Sequence, residues 1–473
     1  MKVYSILYAF LFSQVICFGQ QYSDLQASLQ QTMRNTRMHA AGVAIISKGQ
    51  LVYKKSFGYL NDRKEQNNDS ALFNIASISK SITAWGVMKL AESGKINIDS
   101  PVNNYLKRWK APSYKDDSVT IEITPKMLLS HTAGLSMSAV TDFVPGKPMP
   151  VITEELSKLK FINKPGTQFK YSGGGYMILQ LLIEDVTGES FASYMKKNVL
   201  DPLGMQHSSF VQPTKETKNI ATPYDETLQP TPYYSYIGVS AAGLYTSLDD
   251  LTKFVEASME IQPNAVLKRS TIELMKSKVT NSYGLGYSFD EIDSALVLTG
   301  HGGAAEGWRA AYYFNDSGDA VIVMANSSFN DLTNATLCYW IKEFYERQSK
   351  LCEPSVYSSL LIDLFTKGMH ATAERVKKIK QQTGTDPLPE FVCNILGSWM
   401  MRLERWKGAK TFFEFNTIIF PESADAFDSL GEFYEHSNEN NKAIACYKTA
   451  LKLDPSDQHA KSALENLIHN KLK

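Results

Sequence analysis

Neither sign of charge predominates in this chain: 49 lysines and arginines face 49 aspartates and glutamates, for a formal net charge of zero over 473 residues. A nucleic-acid binder concentrates basic side chains to displace counterions from phosphates. The densest basic stretch here, Lys377-Lys378-Ile379-Lys380, reads as a solvated helix face, so nucleic acid is not an expected partner. Cysteine is scarce too: five in the whole chain, with no C-x-x-C pair and no spacing that suits zinc. Cys338, Cys352, Cys393 and Cys446 lie beyond the N-terminal segment and are expected to be buried free thiols, too few for a disulfide scaffold. The eight histidines are scattered and form no H-E-x-x-H, and P-loop and dinucleotide fingerprints are missing. Neither a metal nor an organic cofactor is implied. With 43% hydrophobic residues the chain has ample material for a core, which excludes disorder and low-complexity classes.

Long apolar runs are also lacking, with one exception at the start. Lys2 precedes an apolar run, Tyr4 to Phe18, broken only by Ser5, Ser13 and Gln14, and Gly19 is a small residue before Gln20. About 15 positions is short of the roughly 20 that a spanning helix needs. Residues 1–20 therefore read as a secretory signal cleaved near Gly19/Gln20, sending the chain to the periplasm or outside the cell with no membrane span. A lipid anchor on Cys17 would want a small residue where Ile16 stands.

The remainder divides by pattern into 21–350 and 355–473. In the first part an amphipathic stretch, Leu25 to Met38, leads into a strand-like run, Gly42 to Ser47, a Lys48-Gly49 turn and a returning strand, Leu51 to Tyr59. Helical segments follow through Phe210. Strand signals return at Tyr283–Phe289, Ala295–Thr299, Trp308–Phe314 and Ala320–Met324, and the amphipathic Asp331 to Gln348 closes the region. Strands at both ends with helices between them predict an α+β fold: one antiparallel sheet completed by distant parts of the chain and flanked by helices. The second part is helical and self-similar. Counting from Ala424, the residues Phe427, Leu430, Gly431, Tyr434, Ala443, Tyr447, Ala450 and Pro455 fall at tetratricopeptide positions, and Leu396, Gly397, Ala409, Phe413 and Pro421 repeat that register one period earlier. Val356 to Gln382 reads as a degenerate repeat and Ala460 to Leu472 as a capping helix, so the domain is all-α and offers a surface for a protein partner.

For chemistry, Gly238-Val239-Ser240-Ala241-Ala242 fails as a nucleophile elbow because Ala stands where the last Gly is needed. Ser77-Ile78-Ser79-Lys80 places a hydroxyl and an amine one helical turn apart, on one face, at a helix start that favours developing negative charge. The same S-x-x-K spacing at Ser157/Lys160 and Ser193/Lys196 reads as solvated helical serines. Only the first has a distinctive context: Phe73-Asn74-Ile75-Ala76 before it, then Ser130-His131-Thr132-Ala133-Gly134, Tyr171-Ser172-Gly173-Gly174-Gly175 and Gly300-His301-Gly302-Gly303-Ala304-Ala305-Glu306-Gly307.

At these residues, from about Gly42 to Met324, the chain resembles the serine β-lactamase and penicillin-binding-protein superfamily, above all its class C β-lactamase, DD-peptidase and family VIII esterase branch. Ser247-Leu248-Asp249-Asp250-Leu251 and Gly284-Leu285-Gly286-Tyr287 share the likeness. The resemblance implies a β-lactamase/transpeptidase-like sheet and a small-molecule or peptide acyl substrate. Ser77 would form an acyl-enzyme, with Lys80 and Tyr171 as alternative proton acceptors. His301-Gly302-Gly303 stands where relatives carry Lys-Thr-Gly, which makes His301 a catalytic candidate titrating near neutrality. The backbone N–H groups of Ser77 and Ala304 would form an oxyanion hole. Gly173, Gly303 and Arg309 are candidate substrate-binding positions, although Gly173 replaces an asparagine whose amide would hold a peptide-like substrate. His131 is expected to hold a turn, and Glu306 to face solvent or pair with Arg309. The competing expectation is a non-catalytic scaffold that binds a partner through the repeats.

Overall fold

The computed structural model describes residues 22–116, 119–137, 142–214, 216–293, 296–349, 352–353 and 355–471, so the expected export signal lies outside the described residues. Contacts separate the chain into two units: Met1–Asp225 with Gln229–Pro354, and Ser355–Lys473 with Glu226–Leu228.

The first unit is built on six antiparallel strands: β1 (Ala40–Ser47), β2 (Gln50–Gly58), β3 (Ser288–Asp293), β4 (Leu296–Ala305), β5 (Trp308–Phe314) and β6 (Ala320–Ala325), in the order β2-β1-β6-β5-β4-β3. β1 and β2 form a hairpin in which Ser47 pairs with Gln50, so Lys48 and Gly49 are its two-residue loop. Both have positive φ, 49° and 75°, the backbone twist that such loops require. β1 then pairs with β6, Ala41 opposite Ala325 and Ile46 opposite Ala320, which closes the sheet between the two ends of the unit.

Because side chains alternate across a strand, each strand feeds two cores. Ala320, Ile322 and Met324 of β6 join one core, while Val321, Val323 and Ala325 join the other. Burial on both faces explains why β6 reads as a continuous apolar run in an antiparallel sheet. One face is covered by helix α1 (22–35) and by α5 (Asp331–Tyr345), through Leu25, Leu29, Leu332, Leu337, Trp340 and Ile341. The other packs against helices inserted between β2 and β3, principally α2 (Ser79–Glu92), α3 (Gly173–Thr187) and α4 (Leu248–Ser258).

Two expectations are corrected here. The run Tyr283–Phe289 is not a strand before Ser288. Gly286 has a φ of 88°, and a Cβ there would lie 2.5 Å from that of Ala84, so the segment turns tightly against α2 before β3 begins. The cysteines were expected to be free, yet Cys338 and Cys352 form a disulfide across 14 residues. α5 ends at Glu346 in a left-handed turn that sends the chain back, and this reversal is not legible from cysteine counts. Cys393 and Cys446 are free, the first of them buried, where loss of hydration pushes its thiol up to about 12.

The second unit contains seven helices among the described residues: α6 (Val356–Thr366), α7 (Met369–Thr383), α8 (Glu390–Arg402), α9 (Trp406–Ile419), α10 (Ala424–His436), α11 (Asn440–Leu453) and α12 (Gln458–Lys471). α8, α10 and α12 begin 34 residues apart, as do α9 and α11. The packing repeats with the sequence. A Cβ on Gly397 would lie 2.6 Å from the Phe413 ring, and one on Gly431 2.6 Å from the Tyr447 ring, so each glycine lets an aromatic from the next helix seat against its backbone. Gly431→Val therefore overpacks the α10–α11 pair. It should cost about 1–3 kcal/mol, seen as a lower denaturation midpoint of the helical unit, and Gly397→Val should reproduce the effect one repeat earlier.

Candidate active site

Ser77 stands at the end of a short turn that the preceding residues hold in place. Phe73 and Asn74 pair with Thr246 and Tyr245. The Asn74 Oδ1 accepts the Ala76 N–H (2.7 Å) and its Nδ2 donates to the Ala242 carbonyl (3.2 Å). Clamped on both sides, Ala76 takes a φ of 46°, an uncommon value for a residue with a Cβ. A single 3-10 turn, Ala76–Ile78, then runs into α2. The helix is buried nearly all round, and its polar side chains are each given a partner: Ser79 accepts from the Leu244 N–H, Ser81 donates to the Gly286 carbonyl and Thr83 to the Ser240 carbonyl.

Lys80, in the first turn of α2, is only 2% exposed. Its Nζ donates to the Ala241 carbonyl (2.8 Å) and to Ser77 Oγ (3.2 Å), and it lies 4.9 Å from the ring centroid of Tyr171 and 5.7 Å from that of Tyr176. The amine is thus held by a carbonyl, a hydroxyl and two ring faces. An ammonium removed from water is costly without such partners.

Aromatic and imidazole rings back this pair. His131, at a left-handed φ of 57°, accepts the Ser172 N–H on Nδ1 (3.1 Å) and lies tilted against the Tyr171 ring, centroids 4.3 Å apart. Burial and the nearby Lys80 charge hold its imidazole well below the usual histidine range. His301 lies across from Tyr171, ring centroids 6.3 Å apart. Its Nδ1 is 2.6 Å from the Gly302 carbonyl, which can only accept, so Nδ1 carries the proton and Nε2 accepts from the Tyr283 hydroxyl (2.9 Å). Burial, then the charge of Lys80, push the His301 pKa down to about 4. The expectation that His301 titrates near neutrality is corrected: it is a neutral imidazole at pH 7.

β4 completes the site. A Cβ on Gly303 would lie 2.1 Å from the Ile75 carbonyl oxygen, so only glycine lets the strand close onto the Ser77 turn. β3 pairs with β4 only as far as Gly300, which leaves residues 301–305 as an open edge. Ser77, Tyr171, His301, Gly303 and Ala304 line one cavity of about 590 Å³, a size ordinary for a small-molecule site.

A family model described as Beta-lactamase matches residues 25–339, two thirds of the chain. The chain belongs to the beta-lactamase family. Among relatives, Protein flp of Staphylococcus aureus (strain N315) is 26% identical over 316 residues; the match covers 63% of this chain and 61% of that protein, so the chain spans less than two thirds of its relative. Among solved structures, an octameric penicillin-binding protein homologue from Pyrococcus abyssi superposes with a TM-score of 0.59 at 23% identity, covering 76% of this chain and 81% of that one. EstCE1, a hydrolase with promiscuous acyltransferase activity, gives 0.56 at 21%, covering 67% and 96%. At these identities the two structures support the fold alone.

The other sequence-chosen positions of this beta-lactamase-family domain are placed less uniformly. Gly173 is buried in the first turn of α3 and is not among the residues of the cavity wall. Arg309 pairs with Ala304 in register, but its Nη1 donates to the Ala305 and Trp308 carbonyls (2.8 and 2.7 Å), and it does not reach the cavity wall either. Glu306, expected in solvent or on Arg309, is 6% exposed, because the turn that carries it is packed down by Gly307 against Pro223 and Tyr224. Ser157 donates to the Thr153 carbonyl and Ser193 lies in the first turn of a short helix, both far from the constellation around Lys80 in their bonding. Sequence reasoning missed three contributors: Asn74, which sets the turn, the Ala241 carbonyl, which holds Lys80, and Tyr283, which fixes the His301 tautomer. Asn74 carried a visible signal, an Asx residue two positions before a strained turn.

Two outcomes follow from this geometry. Gly303→Val should push β4 away from the Ser77 turn and lower kcat/KM by about 100-fold or more, since a displacement of about 1 Å at a reacting centre costs that much. His301 takes up its proton at a lower pH in the folded state than in the unfolded chain, so its contribution is complete above pH 6.5 and falls away as pH drops toward 4. Denaturant midpoints should decline across that window, and His301→Gln should flatten the slope.

Proposed function

We propose that the chain is an exported serine hydrolase that transfers an acyl group through Ser77, with carboxylic esters as its preferred substrates. The observation that carries the reading is the 3.2 Å contact between the buried Lys80 amine and a Ser77 hydroxyl that opens onto the cavity. Ser77 Oγ attacks the substrate carbonyl carbon while its proton passes to the Lys80 amine in its unprotonated form or to Tyr171 as the phenolate. The tetrahedral oxyanion is met by the backbone N–H groups of Ser77 and Ala304, where one such donor is typically worth about 10²–10³ in kcat. Collapse breaks the bond to the leaving alkoxide, which takes up that proton, and water then releases the acid by the same route and restores Ser77.

Esters are favoured over β-lactams or D-amino-acid peptides by what surrounds the nucleophile. Position 173 offers no side-chain amide, and His301 is a neutral imidazole where a fixed cation would hold a substrate carboxylate. Export is supported by the Cys338–Cys352 disulfide, since such bonds persist in oxidising compartments. The 34-residue hairpins are tetratricopeptide repeats in this reading, a surface suited to a protein partner. The scaffold alternative leaves unexplained why an amine is buried against a hydroxyl, a carbonyl and aromatic faces.

Intact-mass spectrometry of the mature protein with a fluorophosphonate and, separately, with benzylpenicillin tests this. The expected result is a fluorophosphonate adduct that disappears in Ser77→Ala, without a stable penicillin adduct. Lys80→Ala and Tyr171→Phe should each lower kcat on p-nitrophenyl acetate by about 10²–10⁴, the range for lost proton transfer. If neither reagent labels Ser77, the hydrolase reading fails and the scaffold takes its place. A stable penicillin adduct would instead move the substrate toward carboxylate-bearing acyl donors.

A further inference from the structure

The cavity that contains Ser77 does not end there. It continues around the open edge of β4 to the opposite face of the sheet, between that edge and α5, where Leu298, Ala311 and Tyr313 meet Leu337 and Ile341. Three observations give this extension its character. First, β3 stops pairing at Gly300, so among the described residues no strand blocks the way past residues 301–305. Second, Gly302 alternates with His301 and Gly303 and so faces the α5 side, where a Cβ would meet nothing nearer than the Tyr313 hydroxyl at 4.0 Å. The gap at the edge is therefore one missing side chain wide. Third, α5 presents Asn330, Thr333, Asn334, Leu337 and Ile341 to the cavity, a single stripe at helical spacing that is polar near the β4 edge and apolar beyond. Eleven residues of helix rise about 16 Å, so the wall is long and narrow.

The direction of α5 puts the polar end next to the nucleophile. Ala325, which ends β6, pairs with Arg309, which pairs with Ala304; α5 starts a few residues later and runs back to Tyr345, whose hydroxyl accepts from Asn315 Nδ2 (2.9 Å) at the far end of β5. Its apolar half thus lies away from Ser77. Leu298, Leu337 and Ile341 are at most 6% exposed, a protected floor. At the open side Asp290 and Glu291 also line the cavity, Asp290 engaged by the Tyr313 hydroxyl and Glu291 by Lys278 (2.9 Å), so charge is confined to that rim.

Resting on the Ser77 reading, we infer that this groove takes the alkyl chain of a medium-length linear acyl group, so that the substrates are fatty-acyl esters. An acetyl group would use only a corner of about 590 Å³. A peptide strand could pair with the open 301–305 edge, but the wall beyond it, formed by Leu298, Ala311, Leu337 and Ile341, offers it no side-chain hydrogen-bonding groups. The chain passes over Gly302 from the acylated serine and lies along α5, each added methylene improving kcat/KM by about two- to fourfold while it reaches new apolar wall.

The test measures Ser77 phosphonylation by intact mass with p-nitrophenyl-free alkyl fluorophosphonates of ethyl, butyl, octyl and dodecyl chain length. In this reaction an Oγ–P bond forms, fluoride leaves and the hydroxyl proton is released, so no deacylation step is needed. Wild type should label at least tenfold faster with octyl than with ethyl. Gly302→Leu should cut that octyl-to-ethyl ratio at least tenfold, and Ile341→Trp, deeper in the groove, should cut the dodecyl rate more than the butyl rate. A ratio near one in wild type, or ratios equal in wild type and both variants, overturns the groove while Ser77 stands. Absence of labelling by every chain length overturns the Ser77 reading and the groove with it.

Discussion

The close approach of β4 to the Ser77 turn is the constraint on which the remaining geometry depends. The Ile75 carbonyl occupies the place a Cβ on residue 303 would need, so strand and turn meet backbone to backbone. This approach brings the 301–304 segment and Ser77 into one cavity wall. It also requires both partners to be rigid. β4 is held by seven paired positions with β5, and β5 by β6, whose other neighbour is β1 from the start of the unit. The turn is held from the opposite side by Asn74 and the paired strand through Tyr245. The position of one serine is thus set by chain segments as far apart in sequence as Ile75 and Gly303, which is the use of an antiparallel sheet closed by its ends.

A second constraint follows from placing Lys80 where water is excluded. The α2 helix could not be amphipathic and still sit between the sheet and the inserted helices, so its polar residues are satisfied one by one by carbonyls and amides of neighbouring segments. Lys80 belongs to the same pattern, yet one of its partners is a hydroxyl at the cavity rather than a structural group. The two histidines nearby are kept neutral by burial and by that amine, which makes the surroundings of Ser77 rich in rings and poor in further charge. An environment of this kind strengthens each remaining electrostatic interaction, because little solvent competes with it.

Much of this was legible in the sequence for identifiable reasons. Strands β1, β2, β5 and β6 announce themselves by β-branched and aromatic runs bounded by Gly, Asn and Asp, and the 34-residue period by small residues facing aromatics. Ser77, Lys80 and Tyr171 were singled out as one constellation, and the structure brings all three together. What was not legible depends on three dimensions. The pairing of Cys338 with Cys352 rests on a chain reversal after α5, and the neutrality of His301 on burial that a motif does not encode. Arg309 is one residue out of phase with the face that would have made it useful, since its neighbours in register, and not its proximity in sequence, decide where it points. Ala241 contributes a carbonyl, which every residue has, so no side-chain pattern could have marked it.

The departures from the family's pattern also make sense together. Replacing a fixed cation by the imidazole of His301 removes the charge that would receive a carboxylate, and a glycine at position 173 removes the amide that would receive a peptide bond. Each loss alone would weaken a peptidase or a β-lactamase without giving it a new substrate. Joined to Gly302, which has no side chain at the sheet edge, and to the apolar stripe of α5 beyond it, they fit the proposed site, in which specificity would rest on the length and shape of a hydrocarbon wall rather than on polar contacts. Such a wall discriminates gently, by methylene increments, whereas a lost polar partner discriminates steeply. In the proposed reading, the placing of Ser77 and the choice of acyl chain could therefore change independently, because the carbonyl of Ile75 constrains residue 303 while a Cβ at residue 302 would meet nothing nearer than the Tyr313 hydroxyl at 4.0 Å.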